Sequence, residues 1–206
     1  MGLYNRYILP HLINCACGAR PIQRQRAKVA PLVEGVVLEL GFGSGRNVAF
    51  LDAAKIRKLY ALEPEAGMRV LSQKAARTAP FPVEVRAECA EALQIPDASI
   101  DTLLVTYTLC TIPDPVSALA ATKRFMKTDA RLVFCEHGAA PDADVQRSQA
   151  SFEPWWKAIA GGCHLTRDIP RIIADAGFRI DALDKMYLPG TPRFAGFNYW
   201  GTARVA

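Results

Sequence analysis

The chain has 206 residues, half of them apolar, and a formal net charge of +5. That length and apolar share suit one α/β domain with a sizeable core and exclude a disordered chain. The excess of cations is mild and forms no Lys/Arg block, so no nucleic-acid partner is implied, and anionic lipid or anionic small molecules fit such a surface equally.

Six cysteines occur, at Cys15, Cys17, Cys89, Cys110, Cys135 and Cys163, without a Cys-x-x-Cys pair, and the three histidines are scattered. Local spacing therefore predicts no metal. Cys135 lies in an apolar strand and reads as a reduced core residue. No secretory segment precedes residue 36 and no run of about 18 apolar residues occurs, so the expected setting is the reducing cytoplasm.

In chain order, residues 1–30 form a segment of their own. Leu3, Tyr4, Tyr7, Ile8, Leu9, Leu12 and Ile13 give an apolar face at near-helical spacing, broken by Pro10, and Arg20, Arg24, Arg26 and Lys28 follow. The segment reads as a helical lid with His11 toward a cleft, or as a helix packed on the sheet. Weak contact with a membrane surface is the third reading, and the short, interrupted pattern ranks it last.

Residues 36–47, Val-Val-Leu-Glu-Leu-Gly-Phe-Gly-Ser-Gly-Arg-Asn, read as a buried strand (36–41) that breaks into alternating glycines before a helix near 45–54. Gly41, Gly43 and Gly45 let a ligand lie against bare backbone between strand and helix. The spacing is G-x-G-x-G. The third glycine of the dinucleotide pattern G-x-G-x-x-G would fall where Arg46 stands. Glu39 is a poor neighbour for a pyrophosphate but suits a ligand with a positive amino group, such as S-adenosylmethionine. Asn47, at the end of the same turn, is counted with the cofactor contacts.

Further strands are expected near 58–63, 83–87, 100–107 and 130–136, and helices near 66–78, 115–127, 144–160 and 168–176. This βαβ alternation predicts a parallel sheet. Glu63 falls at the tip of the second strand, where an acid can accept both hydroxyls of a ribose. Pro64, Glu65 and Met68 open a helix whose first turn can flank an adenine. Arg-Ala-Glu-Cys-Ala-Glu (86–91) ends the third strand where a loop can close over the adenine edge. The last stretch, 178–203, reads as two long strands joined by Leu-Pro-Gly-Thr-Pro (188–192), with an antiparallel strand inserted at one sheet edge.

In this order the segments VLELGFGSGRN, YALEPEAGM, AECAEALQIPDASIDTLL and ARLVFCEHG, over residues 36–140, resemble the class I S-adenosylmethionine-dependent methyltransferases. The resemblance implies a three-layer, Rossmann-like α/β fold with a mostly parallel seven-stranded sheet, and residues 31–206 as the methyltransferase domain. By it Glu39 holds the methionyl amino group, the backbone of Gly41 and Gly43 lies close to the ligand, and Glu63 holds the ribose. The family usually has Asp at the position of Cys89 to bind the adenine amino group. Cys89 accepts that bond poorly, which leaves Glu88, the Ala90 backbone or water to serve.

A narrower resemblance spans residues 36 to about 176. Thr-Leu-Cys-Thr-Ile (108–112), Cys-Glu-His (135–137) and Phe-Glu-Pro-Trp-Trp-Lys-Ala-Ile-Ala-Gly-Gly-Cys-His-Leu-Thr-Arg (152–167) are similar to the alkyl thiol S-methyltransferases of the methyltransferase-like group. It implies a small-molecule thiol or sulfide acceptor. The animal members carry a longer hydrophobic N-terminal anchor, so a membrane location is not carried over from them.

A thiol reacts as thiolate and has an unperturbed pKa of about 8.5, so a base or cation nearby helps at neutral pH. His137 falls just past the fifth strand, on the edge where open α/β sheets bind ligands, and is suited to proton transfer; otherwise it caps the strand. Glu136 either orients His137 or holds the fold. Cys110 follows the fourth strand and either lines the methyl channel or packs as an apolar thiol. Trp155 and Trp156, with Phe152, can enclose an apolar acceptor or steady a sulfonium, one of the two serving as core. Arg167 can lower a thiol's pKa or bind an anionic acceptor, or else pair with Glu153. The rival functions are methylation of a lipid-like acceptor (a phospholipid amine or a quinone), non-catalytic binding of the methyl donor, and a dehydrogenase.

Overall fold

The computed structural model describes residues 9–206. Leu3, Tyr4, Tyr7 and Ile8 of the apolar N-terminal face lie outside the described residues. Two helices, α1 (Leu9–Cys17) and α2 (Arg20–Val29), precede the sheet. The strands are β1 (Gly35–Leu40), β2 (Ile56–Leu62), β3 (Val83–Arg86), β4 (Ile100–Thr106), β5 (Met126–His137), β6 (Phe178–Tyr187) and β7 (Phe197–Val205). Between them run α3 (Ala66–Thr78), α4 (Pro115–Thr122), α5 (Ala143–Ile159), α6 (Ile169–Asp175) and the single turn α7 (Arg193–Gly196).

The seven strands form one sheet in the order β3-β2-β1-β4-β5-β7-β6. β7 runs antiparallel to both β5 and β6, so the sheet is mixed rather than the mostly parallel one expected. The hairpin that joins β6 to β7 forces the second antiparallel pairing, because two strands joined by a short turn cannot run the same way.

Side-chain alternation sorts the strand residues into two layers. Leu38, Leu103 and Leu132 point to one face, where Ala118 and Leu119 of α4 and Ile169 and Ile173 of α6 cover them. Val37, Leu59, Leu104 and Val133 point to the other, under Val29 of α2 and Phe42. Both faces of the central strands are thus buried, which is why they read as near-continuous apolar runs.

One predicted helix is absent. Residues 43–50 form successive tight turns, not the helix expected near 45–54. Gly43 and Gly45 have φ of +58° and +73°, and the bonds run from Val48 N to Gly45 O and from Phe50 N to Asn47 O, a three-residue step. Left-handed backbone at two positions and an inward-turned Asn47 prevent a regular α-helical ladder. No described helix is long and apolar enough to cross a membrane.

Candidate active site

The C-terminal ends of β1, β2, β4 and β5 open on one edge, and the functional residues converge there. Among the three glycines the structure separates roles. A Cβ on Gly41 would collide with Thr108, and one on Gly45 with Ala75 of α3, so both serve close packing. A Cβ on Gly43 would meet Met68 Cε at 3.7 Å and Gly41 O at 4.0 Å, both ordinary contacts, which makes Gly43 the least crowded of the three. Met68, buried at the start of α3, thus lines the glycine turn, while Pro64 is exposed.

Glu63 follows β2 and is buried, with Oε2 accepting from Gly43 N at 2.7 Å and Oε1 from Glu65 N at 3.0 Å. Burial raises its pKa. Each oxygen retains a lone pair toward a hydroxyl donor, so the residue ties down the turn and can still hold a ribose.

Glu39 ends the buried part of β1 and is 1% exposed. Its Oε1 accepts from Asn47 Nδ2 at 2.8 Å, while Oε2 has no partner. Burial pushes this carboxyl up to about 8, against the lowering effects of Asn47 and of nearby Arg26. An orphaned carboxyl oxygen buried beside a glycine turn is costly unless a donor arrives, and a ligand ammonium group supplies one. The residues present therefore fit S-adenosylmethionine.

Asn47 is placed differently from the expectation. Its amide nitrogen donates to Glu39 and Thr106, and its oxygen accepts from Arg26 Nη1 at 2.8 Å, so it positions Glu39. Arg26, which sequence reasoning counted only as surface charge, is buried, donates to Thr106 Oγ1 at 2.5 Å and lies over the Tyr107 ring. An arginine inside a basic, polar helix offers no local sign of burial. Glu88 is committed to Arg86 at 2.6 Å, Cys89 is exposed, and Ala90 is buried at the start of a 3-10 turn, Ala90–Ala92.

On the acceptor side the fold brings together three residues that lie far apart in the chain. Cys110 follows β4, His137 ends β5, and Cys163 follows α5. Their ligand atoms all lie within 4.8 Å of one another, with His137 Nε2 at 2.9 Å from Cys163 Sγ. The spacing-based expectation of no metal does not extend to this group, because each donor comes from a different segment.

The protonation of the group is shared. A hydrogen bond from Cys163, together with His137, holds the Cys110 thiol well below its ordinary range, while Cys163, donating to Cys110 and buried, is pushed up. Burial works to lower His137, but the facing Cys110 sulfur outweighs it and the imidazole is raised. The shifts run in opposite directions, drawing the proton away from Cys110 and toward Cys163 and His137.

The supporting residues are locked. Glu136 makes no hydrogen bond to His137; it holds the turn after β4, with Oε1 accepting from Thr108 N at 2.7 Å and Leu109 N at 3.2 Å. Arg167 grips the same turn from outside, donating to the carbonyls of Leu109 and Ile112. It does not pair with Glu153, which instead holds His164 and the backbone of Leu165 and Thr166. Both Glu136 and Arg167 are positioning residues. Cys163 is the residue sequence reasoning missed; its signal was the Gly-Gly-Cys run after a long amphipathic helix.

The two tryptophans separate. Trp155 is 74% exposed, whereas Trp156 is partly buried with its indole nitrogen lacking a partner of normal geometry, edge-on to Phe194 and beside Cys163. His11 is exposed on α1. The N-terminal helices nevertheless span this edge: Leu9 and Ile13 lie against Gly161, and Arg46 bonds Asn14 at 3.0 Å.

Residues 38–134 match the methyltransferase domain family. The rat thiol S-methyltransferase TMT1B is 31% identical over 149 residues, covering 70% of this chain and 60% of the rat protein. The human thiol S-methyltransferase TMT1B is 29% identical, over 78% of this chain and 68% of its own length. The chain thus spans about 60% of the rat relative. Among solved structures, a SAM-dependent methyltransferase from Leishmania major superposes with a TM-score of 0.70 at 13% identity, covering 98% of this chain and 80% of that one.

Proposed function

We propose, from the premise that the chain carries a class I S-adenosylmethionine-dependent methyltransferase domain, that it methylates a small thiol or sulfide. The observation that carries this reading is the Cys110–His137–Cys163 group at the C-terminal ends of β4 and β5, beside the glycine turn of β1. An environment that draws the proton off a buried sulfur next to a raised imidazole also favours the thiolate form of a sulfur acceptor. The relatives named as thiol S-methyltransferases support the same acceptor class.

S-adenosylmethionine supplies an electrophilic methyl group on a positively charged sulfur. Glu39 binds the donor's ammonium group through its unpartnered oxygen, and Glu63 binds the ribose hydroxyls. Gly43 and Met68 form the wall against which the donor lies. Asn47 and Arg26 hold Glu39 in place, and Glu136 and Arg167 hold the turn that presents Cys110. The acceptor gives up its proton to solvent beside the Cys110–His137–Cys163 group, whose raised imidazole favours the thiolate form, and Trp156 borders that side next to Cys163. Orientation of nucleophile against methyl group is the main gain from such fixed parts.

The decisive experiment is release of S-adenosylhomocysteine by the purified protein with sulfide, methanethiol, a larger alkyl thiol, phosphatidylethanolamine and a quinol. Turnover confined to the sulfur acceptors is expected, and turnover only on the lipid or the quinol overturns the reading. One observation favours a lipid-like acceptor as the second reading: Leu12 of α1 and Phe152 and Trp155 of α5 are exposed apolar groups. Binding to anionic vesicles that tracks turnover on phosphatidylethanolamine would favour it. Location in the cytoplasm, with at most weak membrane-surface contact through the N-terminal helices, accompanies the first reading.

A further inference from the structure

We propose that Cys110, His137 and Cys163 bind a soft divalent cation, such as zinc, with a fourth position left for the sulfur of the acceptor. This rests on the thiol-acceptor reading and deepens it.

Two thiols and one imidazole are the donor types that zinc prefers over magnesium or calcium. Around a tetrahedral zinc, neighbouring sulfur and nitrogen donors stand about 3.6 Å apart, from bond lengths near 2.3 and 2.1 Å. The three donor atoms here lie within 4.8 Å of one another, and His137 Nε2 stands 2.9 Å from Cys163 Sγ, so the ideal spacing lies between that distance and the outer bound. All three side chains are also drawn from rigid supports. His164 N donates to Cys110 O at 2.8 Å, which ties the Cys163 loop directly to the Cys110 turn. Ala139 N donates to Arg167 O at 2.9 Å, which ties the end of β5 to that same loop. Arg167 closes the triangle through the carbonyls of Leu109 and Ile112. Donors fixed by such outer bonds are the mark of a built metal site.

Three protein donors leave a tetrahedral cation one open position, the pattern of catalytic rather than structural zinc. On entry the cation displaces the protons that the Cys110–His137–Cys163 group carries and binds both sulfurs as thiolates. The acceptor R–SH then binds through sulfur and releases its proton to solvent. Its sulfur lone pair forms the new S–CH3 bond as the donor's S–CH3 bond breaks, with that electron pair staying on the donor sulfur. The products are a neutral thioether, S-adenosylhomocysteine and one proton. A thioether binds zinc more weakly than a thiolate, so the product leaves readily.

The test uses full-length protein stripped with a chelator under reducing conditions and titrated with cobalt(II). Equimolar binding with sulfur-to-cobalt charge-transfer absorption and the intense visible bands of a tetrahedral centre is expected, reversed by zinc. Cys110→Ser and Cys163→Ser should each lose about half of the charge-transfer intensity, whereas Cys15→Ser should not change it. Wild-type protein that shows no sulfur-to-cobalt band overturns the site whether or not the variants fold. So does a band that survives in the double Cys110→Ser, Cys163→Ser variant. Zinc is also expected to restore thiol turnover at least tenfold over the stripped protein. Full thiol turnover by stripped protein overturns the role of the cation and leaves thiol methylation standing. Cobalt bands with silence on every thiol support the site and overturn thiol methylation.

Discussion

Glu39 shows how one buried carboxyl can report on ligand binding. Its carboxyl is pushed up to about 8 from 4.5, so the free protein holds a proton there that the unfolded chain has already released. The stabilisation from this group is complete below about 4.5 and is lost as pH rises to about 8. Thermal denaturation of the free protein should therefore show falling stability across that window, with a flatter profile in Glu39→Gln. Donor affinity should move the opposite way, rising with pH as the carboxylate forms. Glu39→Gln should weaken the donor roughly tenfold to a hundredfold and abolish that rise, as read by calorimetry. The role proposed for His137 lies on the acceptor side. His137→Ala should cut turnover roughly a hundredfold or more with donor affinity unchanged; wild-type turnover would remove His137 from the chemistry.

At the scale of elements, the turn after β4 is where packing and chemistry meet. Tyr107 has φ of +54°, Glu136 holds the backbone of Thr108 and Leu109 from beneath, and Arg167 grips the carbonyls from the far side. A lysine cannot fork to several carbonyls as a guanidinium does. Arg167→Lys should lower kcat about tenfold while leaving the donor's Kd unchanged, because the residues proposed to hold the donor, Glu39 and Glu63, belong to other strands. A larger fall in donor affinity than in kcat would show that the turn serves the cofactor instead. This element also explains why its partners were only half legible. Glu136 and Arg167 were visible as candidates, but neither their shared target nor their positioning role follows from spacing along the chain. The missing helix at 45–54 has the same origin: its apolar residues suggested a helix, while the positive φ of Gly45 and the inward Asn47 are set by contacts with α3 and β4.

For the molecule as a whole, the donor should act as a structural ligand. α2 covers the cofactor edge through Arg26, and Glu63 ties β2 to the glycine turn, so donor binding stabilises contacts that cross the sheet. Saturation at a hundred times Kd adds about 2.7 kcal/mol. For a chain of this size that corresponds to a rise in Tm of roughly 5–10 °C. Scanning calorimetry with S-adenosylhomocysteine checks it, and Glu63→Ala should shrink the rise. No rise at all would place the donor somewhere other than the glycine turn.

The sequence by itself determined the succession of strands along the chain up to β5, the glycine turn, the acidic residues Glu39 and Glu63, and the two-strand C-terminal end. These are local: an apolar run, a glycine that must take positive φ, an acid at a strand tip. What tertiary structure alone decided was which distant residues meet. The sheet order sets β4 between β1 and β5, so Cys110 and His137 end side by side, and the loop after α5 returns to lay Cys163 on them. Arg26 turned inward because Asn47 and Thr106 offered acceptors in a site closed by α2. Short-range pattern cannot encode such meetings, since they depend on the crossover connections and the packing of both faces of the sheet.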